Sequence, residues 1–294
     1  MLSGMLSPNR HFDREALEVL LAPERWALVT PELAELEPCE DARHRRWMEV
    51  NTHCHAHREI CLMTRGEGIH GCGGDMYRFT PGTVFYFDAF VGHDQVPPPY
   101  MDGVDQLWFS VVKDSVVARL IEVRDGQFGF GGSFRELLTD RELGVTDCGS
   151  LLSHIQPAQM PRELCLLQLR AAVMTLVSAL LAVGYAPAVP ELADDFQGRV
   201  ITMVARHIAE TAGRGESLDS LARLAGYSKY HFLRLFQQHI GRSVHEYIDE
   251  CRLQRVAEGL AKGHTQRQIV EELGFSSAAV FCRWYKRYRD SEAS

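Results

Sequence analysis

Four titratable residues share one parity in this chain: His53, His55, His57 and Glu59. In an extended segment, residues two apart project from the same face. The spacing therefore predicts three imidazoles and a carboxylate on one side of a strand. Such a set can hydrogen-bond a small polar molecule. It can also ligate a divalent cation, and its nitrogen and oxygen donors suit zinc, iron, manganese or nickel. Cys61 continues the parity of His53, whereas Cys54 does not. With Cys72 these thiols leave a metal or redox sensor open as a reading. Trp108, Tyr86 and Trp47 are candidate aromatic walls for the same site.

A second chemistry recurs further on. Arg234 and Arg283 are 49 residues apart, as are Phe232 and Phe281, Leu235 and Trp284, and Phe236 and Tyr285. The apolar members recur at i, i+3, i+4 and are expected in a core. The positions left outside are Lys229, Tyr230, Leu233 and Arg234 in the first copy, and Ala278, Ala279, Cys282 and Arg283 in the second. An arginine at such a place can bond guanine O6 and N7 in the major groove. Gln237, Gln238, Lys286, Arg287 and Arg289 are candidate phosphate contacts. Ala278 and Ala279 offer only methyl groups, so the second copy is expected to read fewer bases and to position more.

These residues need elements to hold them. Arg10–Leu21 reads as a short helix. The runs Trp47–Met63, Tyr77–Phe79, Thr83–Phe90 and Gln106–Val112 read as strands, punctuated by Gly73-Gly74, Pro81-Gly82 and Pro97-Pro98-Pro99. Short strands at this spacing predict an all-β barrel or sandwich. Asp114–Val123 and Phe134–Leu138 read as short helices. Pro161–Val183 reads as a long buried helix closed by Gly184, and as a candidate dimer seam. Tyr185–Gln197 reads as a linker, with Pro187, Pro190, Asp194 and Asp195. From Arg199 onward the pattern is helical throughout. Ser217, Ser228, Ser243, Thr265 and Ser277 stand as helix caps, and Gly226, Gly241, Gly263 and Gly274 as stops. In each copy a short helix, a glycine turn and a longer helix follow one another, the layout of a helix-turn-helix.

Charge divides along the same line. Residues 198–294 carry 15 Lys+Arg against 11 Asp+Glu, while the rest of the chain carries 16 against 28. A net charge of −8 thus hides a basic half, as expected of a nucleic-acid binder joined to an acidic half with another task. The composition, 46% hydrophobic and 24% charged, is that of an ordinary soluble protein. The apolar stretch Ala171–Gly184 is too short to span a bilayer, and no secretory signal is evident. Eight cysteines without a CxxC pair fit reduced thiols in a cytoplasmic protein.

The stretch 226–247, beginning G-Y-S-K-Y-H-F-L-R-L-F, resembles the first helix-turn-helix of the AraC/XylS family of bacterial transcription regulators. G-F-S-S-A-A-V-F-C-R-W-Y-K-R-Y at 274–288 is similar to the second unit, more loosely. Trp284 replaces a smaller residue, and Asp290-Ser-Glu-Ala-Ser294 stands where the family carries a Gly-x-Ser/Thr-Pro tail. The run from His53 to Glu59, then Gly66, resembles the first cupin motif, and Pro81-Gly82 followed by His93 resembles the second. The resemblance implies an α+β fold: a cupin-like β-barrel with flanking helices over 1–184, a linker over 185–197, and an all-α domain with two helix-turn-helix units over 198–294. It implies a ligand-responsive regulator of promoter DNA rather than an enzyme. The effector set is His53, His55, His57, Glu59, His93 and Trp108, for a polar ligand such as a sugar. A divalent metal on His53, His55, Glu59 and His93 remains open, as does a metal-dependent cupin enzyme carrying a DNA-binding appendage. A homodimer and a contact with RNA polymerase are also implied, and no membrane partner.

Overall fold

The structure, a computed structural model, describes residues 9–94, 97–112, 115–129, 134–145, 150–153, 155, 160–185 and 196–292. The chain divides into two compact units, Met1–Phe196 and Gln197–Ser294.

The first unit opens with helix α1 (Arg14–Leu20), capped by the Asp13 carboxylate, and strand β1 (Ala27–Val29). Next comes α2 (Ala42–Asn51), capped by Asp41. Ten strands follow: β2 (Thr52–His53), β3 (Arg58–Arg65), β4 (Gly68–Cys72), β5 (Asp75–Phe79), β6 (Thr83–Phe87), β7 (His93–Asp94), β8 (Val104–Val112), β9 (Ser115–Arg124), β10 (Gln127–Gly129) and β11 (Arg135–Thr139). Helices α3 (Asp140–Leu143), α4 (Ser150–Ser153) and α5 (Arg162–Tyr185) complete it. One sheet runs β1-β6-β3-β8-β9-β10, with β11 also on β9; the other runs β2-β7-β4-β5. Among the described residues no strand pairing closes the two sheets into one barrel, so the expected barrel is a pair of sheets.

Between the sheets lies an apolar layer from both: Cys61, Met63, Phe85, Phe87, Trp108 and Ile121 against Ile69, Cys72, Met76 and Phe79. The opposite face of the larger sheet, with Ile60, Leu62, Val84, Tyr86, Leu107 and Phe109, packs against α1 and α5. Both faces of its central strands are therefore buried, and all nine residues of β8 are out of solvent. The Gly73-Gly74 turn joins β4 to β5 with φ of 64° and 97°, the double left-handed turn that suits a two-residue hairpin.

Several expected elements differ. Trp47–Asn51 belongs to α2, so the strand run starts only at Thr52. The expected helix Asp114–Val123 is strand β9, whose Val116, Val117, Ile121 and Val123 favour a strand and which pairs with β8 along its length; Asp114 itself lies outside the described residues. The expected helix Phe134–Leu138 is strand β11, antiparallel to β9. Gly184 does not end α5 but lies within it, against Asn9, where a side chain would collide. At 24 residues, with a mean hydropathy of 2.0 over an 18-residue stretch, α5 is long and apolar enough to cross a membrane by length and composition, unlike its Ala171–Gly184 stretch alone; half of that 18-residue stretch is buried.

The second unit is helical: α6 (Phe196–Thr211), α7 (Leu218–Leu224), α8 (Lys229–Ile240), α9 (Val244–Ala261), α10 (Gln266–Glu272) and α11 (Ala278–Glu292). Helix α6 begins inside the expected linker, whose residues 186–195 lie outside the described ones. Capping boxes open α7, α9 and α10 at Ser217, Ser243 and Thr265. Ser228 stands at the α8 N-cap without a side-chain bond. Gly226 and Gly274, with φ of 69° and 68°, make the turns before α8 and α11.

Candidate effector cluster and nucleic-acid interface

The histidines converge by a route the spacing does not anticipate. Of the four residues that share a parity, His53 and Glu59 lie in strands, whereas His55 and His57 sit in the bend between β2 and β3. The bend is held by Phe90, whose N–H donates to the His55 carbonyl at 2.7 Å. Cross-strand pairing sets His53 opposite His93, with ring centroids 4.3 Å apart. Ligand atoms of His53, His55, Glu59 and His93 all fall within 4.8 Å of one another. His57 lies beside this set, its ring stacked on His55 at 3.7 Å and its Nε2 3.4 Å from Glu59 Oε1.

Backbone carbonyls fix two of these rings. His55 Nδ1 lies 2.9 Å from the His57 carbonyl, and His93 Nδ1 lies 2.9 Å from the Val91 carbonyl. A carbonyl only accepts, so each Nδ1 carries a proton, and each Nε2 is turned inward. Both Nε2 atoms face Glu59 Oε2, at 3.0 and 3.4 Å. Burial pushes the His55 imidazole below its ordinary pKa. Burial works to raise the Glu59 carboxyl, but His55 and Arg119 outweigh it and hold the group well below the usual carboxylate range. Two ring nitrogens thus converge on one buried carboxylate oxygen, a geometry that a shared cation fits.

Trp108 forms the wall beside the cluster, 6.2 Å from His93 and 5.9 Å from Phe87. Tyr86 does not join it, because its parity turns it to the helix-covered face of the sheet. Trp47, on α2, is not part of this wall either. Burial raises the Cys61 and Cys72 thiols, which disfavours the reactive thiolate a redox sensor needs.

In the second unit, α8 buries Phe232, Leu235 and Phe236 at 0%, 3% and 0% exposure. Burying such side chains contributes roughly 1.5–3 kcal/mol each. The opposite face presents Tyr230, Arg234 and Gln237 to solvent, with Leu233 half-buried. Lys229 is ion-paired with Asp219 at 2.9 Å. Helix α11 buries Phe281 and Trp284 and exposes Ala278, Ala279, Cys282, Arg283, Lys286 and Arg287. Ser277 Oγ accepts from the Val280 N–H at 3.3 Å, as a cap one residue beyond the first-copy register. The side chains of Arg289 and of Asp290–Ser294 lie outside the described residues.

Residues 221–291 match the family model described as "Helix-turn-helix domain". Residues 39–182 match the one described as "AraC-like ligand binding domain". This chain belongs to the AraC family. An uncharacterized HTH-type transcriptional regulator of Haemophilus influenzae is 39% identical over 72 residues, 24% of either chain. The probable transcription factor PqrA of Proteus vulgaris is 36% identical over 75 residues, 25% of this chain and 62% of PqrA. The uncharacterized HTH-type transcriptional regulator YbfI of Bacillus subtilis is 24% identical over 230 residues, 76% of this chain and 78% of YbfI. The matches to the Haemophilus protein and to PqrA thus span a quarter and under two thirds of those relatives. No solved structure matches the chain significantly.

This AraC-family chain adds residues that the sequence reading missed. Ser110 and Arg119 both donate to Glu59 Oε1, Arg119 at 3.0 Å, and Arg119 also donates to Ser110 at 2.7 Å. They support the carboxylate from behind, as outer groups orient a ligating one. Beside the cluster, Asp94 accepts from the Gly71 N–H at 2.8 Å and pairs with His44 Nε2 at 2.7 Å. His44 in turn meets the Tyr100 hydroxyl at 2.9 Å, so α2 is tied to β4 and β7 beside the His53–His93 pair.

Proposed function

We propose that the protein is a ligand-responsive transcription regulator that binds double-stranded promoter DNA through its two helix-turn-helix units. The observation that carries this reading is α8, whose apolar face is fully buried while Tyr230, at 86% exposure, and Arg234 stand free in solvent. A helix held by its back and charged on its front is what a major groove admits. The second unit repeats the arrangement with alanines leading, so Arg283 is its base-reading residue and Lys286 and Arg287 contact phosphates. The effector is a small polar molecule, of which a sugar is one class, held by His53, His55, His57, Glu59 and His93 beside Trp108. The regulator is a homodimer that acts with RNA polymerase, and catalysis is not part of its role. Arg234→Ala weakens specific binding by roughly 1–3 kcal/mol and relaxes the preference at one base pair. Binding titrations on operator variants check this; an equal loss on every sequence assigns Arg234 to phosphate instead.

One observation favours a divalent cation at the same cluster. The inward Nε2 atoms of His55 and His93 both face Glu59 Oε2, and the ligand atoms of His53 complete a four-donor set within 4.8 Å. His53, His55, Glu59 and His93 hold the ion in this reading, and Ser110 and Arg119 orient Glu59. Equilibrium dialysis of the full chain against zinc or nickel yields one equivalent per chain, lost in Glu59→Ala at unchanged circular dichroism. A wild-type chain that retains neither metal sinks this reading and leaves the organic effector.

A further inference from the structure

The two recognition helices are held by different physics. Helix α8 rests on Phe232, Leu235 and Phe236, which are nearly fully buried, with Phe232 edge-on to Phe236 at 5.7 Å. Helix α11 has a less complete apolar back. Tyr285, the counterpart of Phe236, is only half-buried, and a groove of about 370 Å³ lined by Val256, Leu260, Ile269, Phe281 and Tyr285 opens between α9, α10 and α11. What α11 has instead is a polar clamp. The two oxygens of one carboxylate, Asp249 on α9, are divided between two of its residues. Trp284 Nε1 donates to Oδ1 at 2.7 Å, and the Tyr288 hydroxyl donates to Oδ2. Trp284 and Tyr288 are one helical turn apart, so the pair fixes rotation about the helix axis as well as distance. The clamp stands on a fixed base: Arg252 and Arg255 of α9 donate to the carbonyls of Ala212 and Glu210 at the end of α6, at 3.1 and 3.0 Å.

We propose that Asp249 is a positioning residue that sets the rotation of α11, and with it the half-site that the second unit reads. It contacts no base itself. Arg283 precedes Trp284 and Arg287 precedes Tyr288, so a helix that turns about its axis carries both arginines with it. The first unit has no share in this clamp, so its readout is independent of Asp249. The inference rests on the DNA-binding reading.

The test uses the full chain and an operator selected from random DNA, with substitutions placed in either half. Asp249→Ala lowers discrimination in the second half by about tenfold, the scale of one mismatched base pair, and leaves the first half unchanged. Asp249→Asn restores it, since an amide oxygen accepts from Trp284 and its NH2 donates to the Tyr288 oxygen. Trp284→Phe, which removes only the N–H donor, reproduces part of the Asp249→Ala loss and serves if that variant does not fold. Equal losses in both halves, or no loss in either, overturn the proposal. A wild-type chain that selects no sequence at all overturns the DNA-binding reading itself, a result distinct from either.

Discussion

His70 shows what a buried imidazole does outside the donor set. It is 1% exposed, lies 4.8 Å from the Phe85 ring, and its Nδ1 is 3.9 Å from Asp94 Oδ2. Burial pushes its pKa from 6.5 down to about 4. The folded state therefore binds this proton less readily than the unfolded chain does. Between those two values the unfolded state carries more protons, so stability is lost as pH falls from 6.5 towards 4 and is fully present above 6.5. The whole effect is on the order of 3 kcal/mol. The carboxyls of Glu59, Asp94 and Glu136 are held below their ordinary values, so their losses come lower in pH. Urea midpoints between pH 7 and pH 4 measure the effect. His70→Leu flattens the upper part of that decline; parallel curves for variant and wild type refute the assignment.

At the level of elements, the second unit was legible in the sequence because its signals are local. Capping boxes at Ser217, Ser243 and Thr265 and the stops at Gly241 and Gly263 each involve residues within one turn of the helix end they mark. The strands of the first unit carry no such marks. The larger sheet is covered on both faces, so the alternation that identifies a half-buried strand is erased. In β9, buried Val116, Val117, Leu120 and Ile121 recur at intervals that also suit a helix, and only pairing with β8 and β11 decides the matter. Helix α2 failed the opposite way: its buried residues are His44 and Met48 alone, too thin a stripe to show a helical period. The histidine cluster was legible as composition but not as geometry. Its parity pointed to one strand face, whereas His55 and His57 arrive through a bend. Ser110 and Arg119 stayed hidden because their place beside Glu59 depends on the register of β3 against the β8–β9 pair, and the two residues stand 51 and 60 positions beyond Glu59.

For the molecule as a whole, the assembly is argued from α5. One side of this helix buries Cys165, Leu169, Val173, Leu176, Val177 and Leu180. The other side exposes Leu164, Leu167, Ala171, Met174, Ser178, Ala182 and Tyr185. These positions advance by three or four residues from Leu164 to Tyr185 and include no charge, the pattern of a coiled-coil seam. Leu167 is 64% exposed, and Leu164, Met174 and Tyr185 are 42–44% exposed, more apolar surface than scattered single residues leave. A second copy of the same helix matches such a stripe, because an uncharged apolar seam is covered by an identical one across a two-fold axis. In the homodimer proposed above, Leu167→Glu with Met174→Glu therefore releases the monomer. Both side chains lie outside the core, so the thermal transition of the monomer moves little, within the small range of surface substitutions. Sedimentation velocity at micromolar concentration reads the outcome. A wild-type chain that sediments as a monomer, or a doubly substituted chain that stays dimeric, removes α5 from the interface. If the seam holds, the substituted chain also binds its operator more weakly while retaining the base preferences of Arg234, since those are set within one helix-turn-helix unit and not by the assembly.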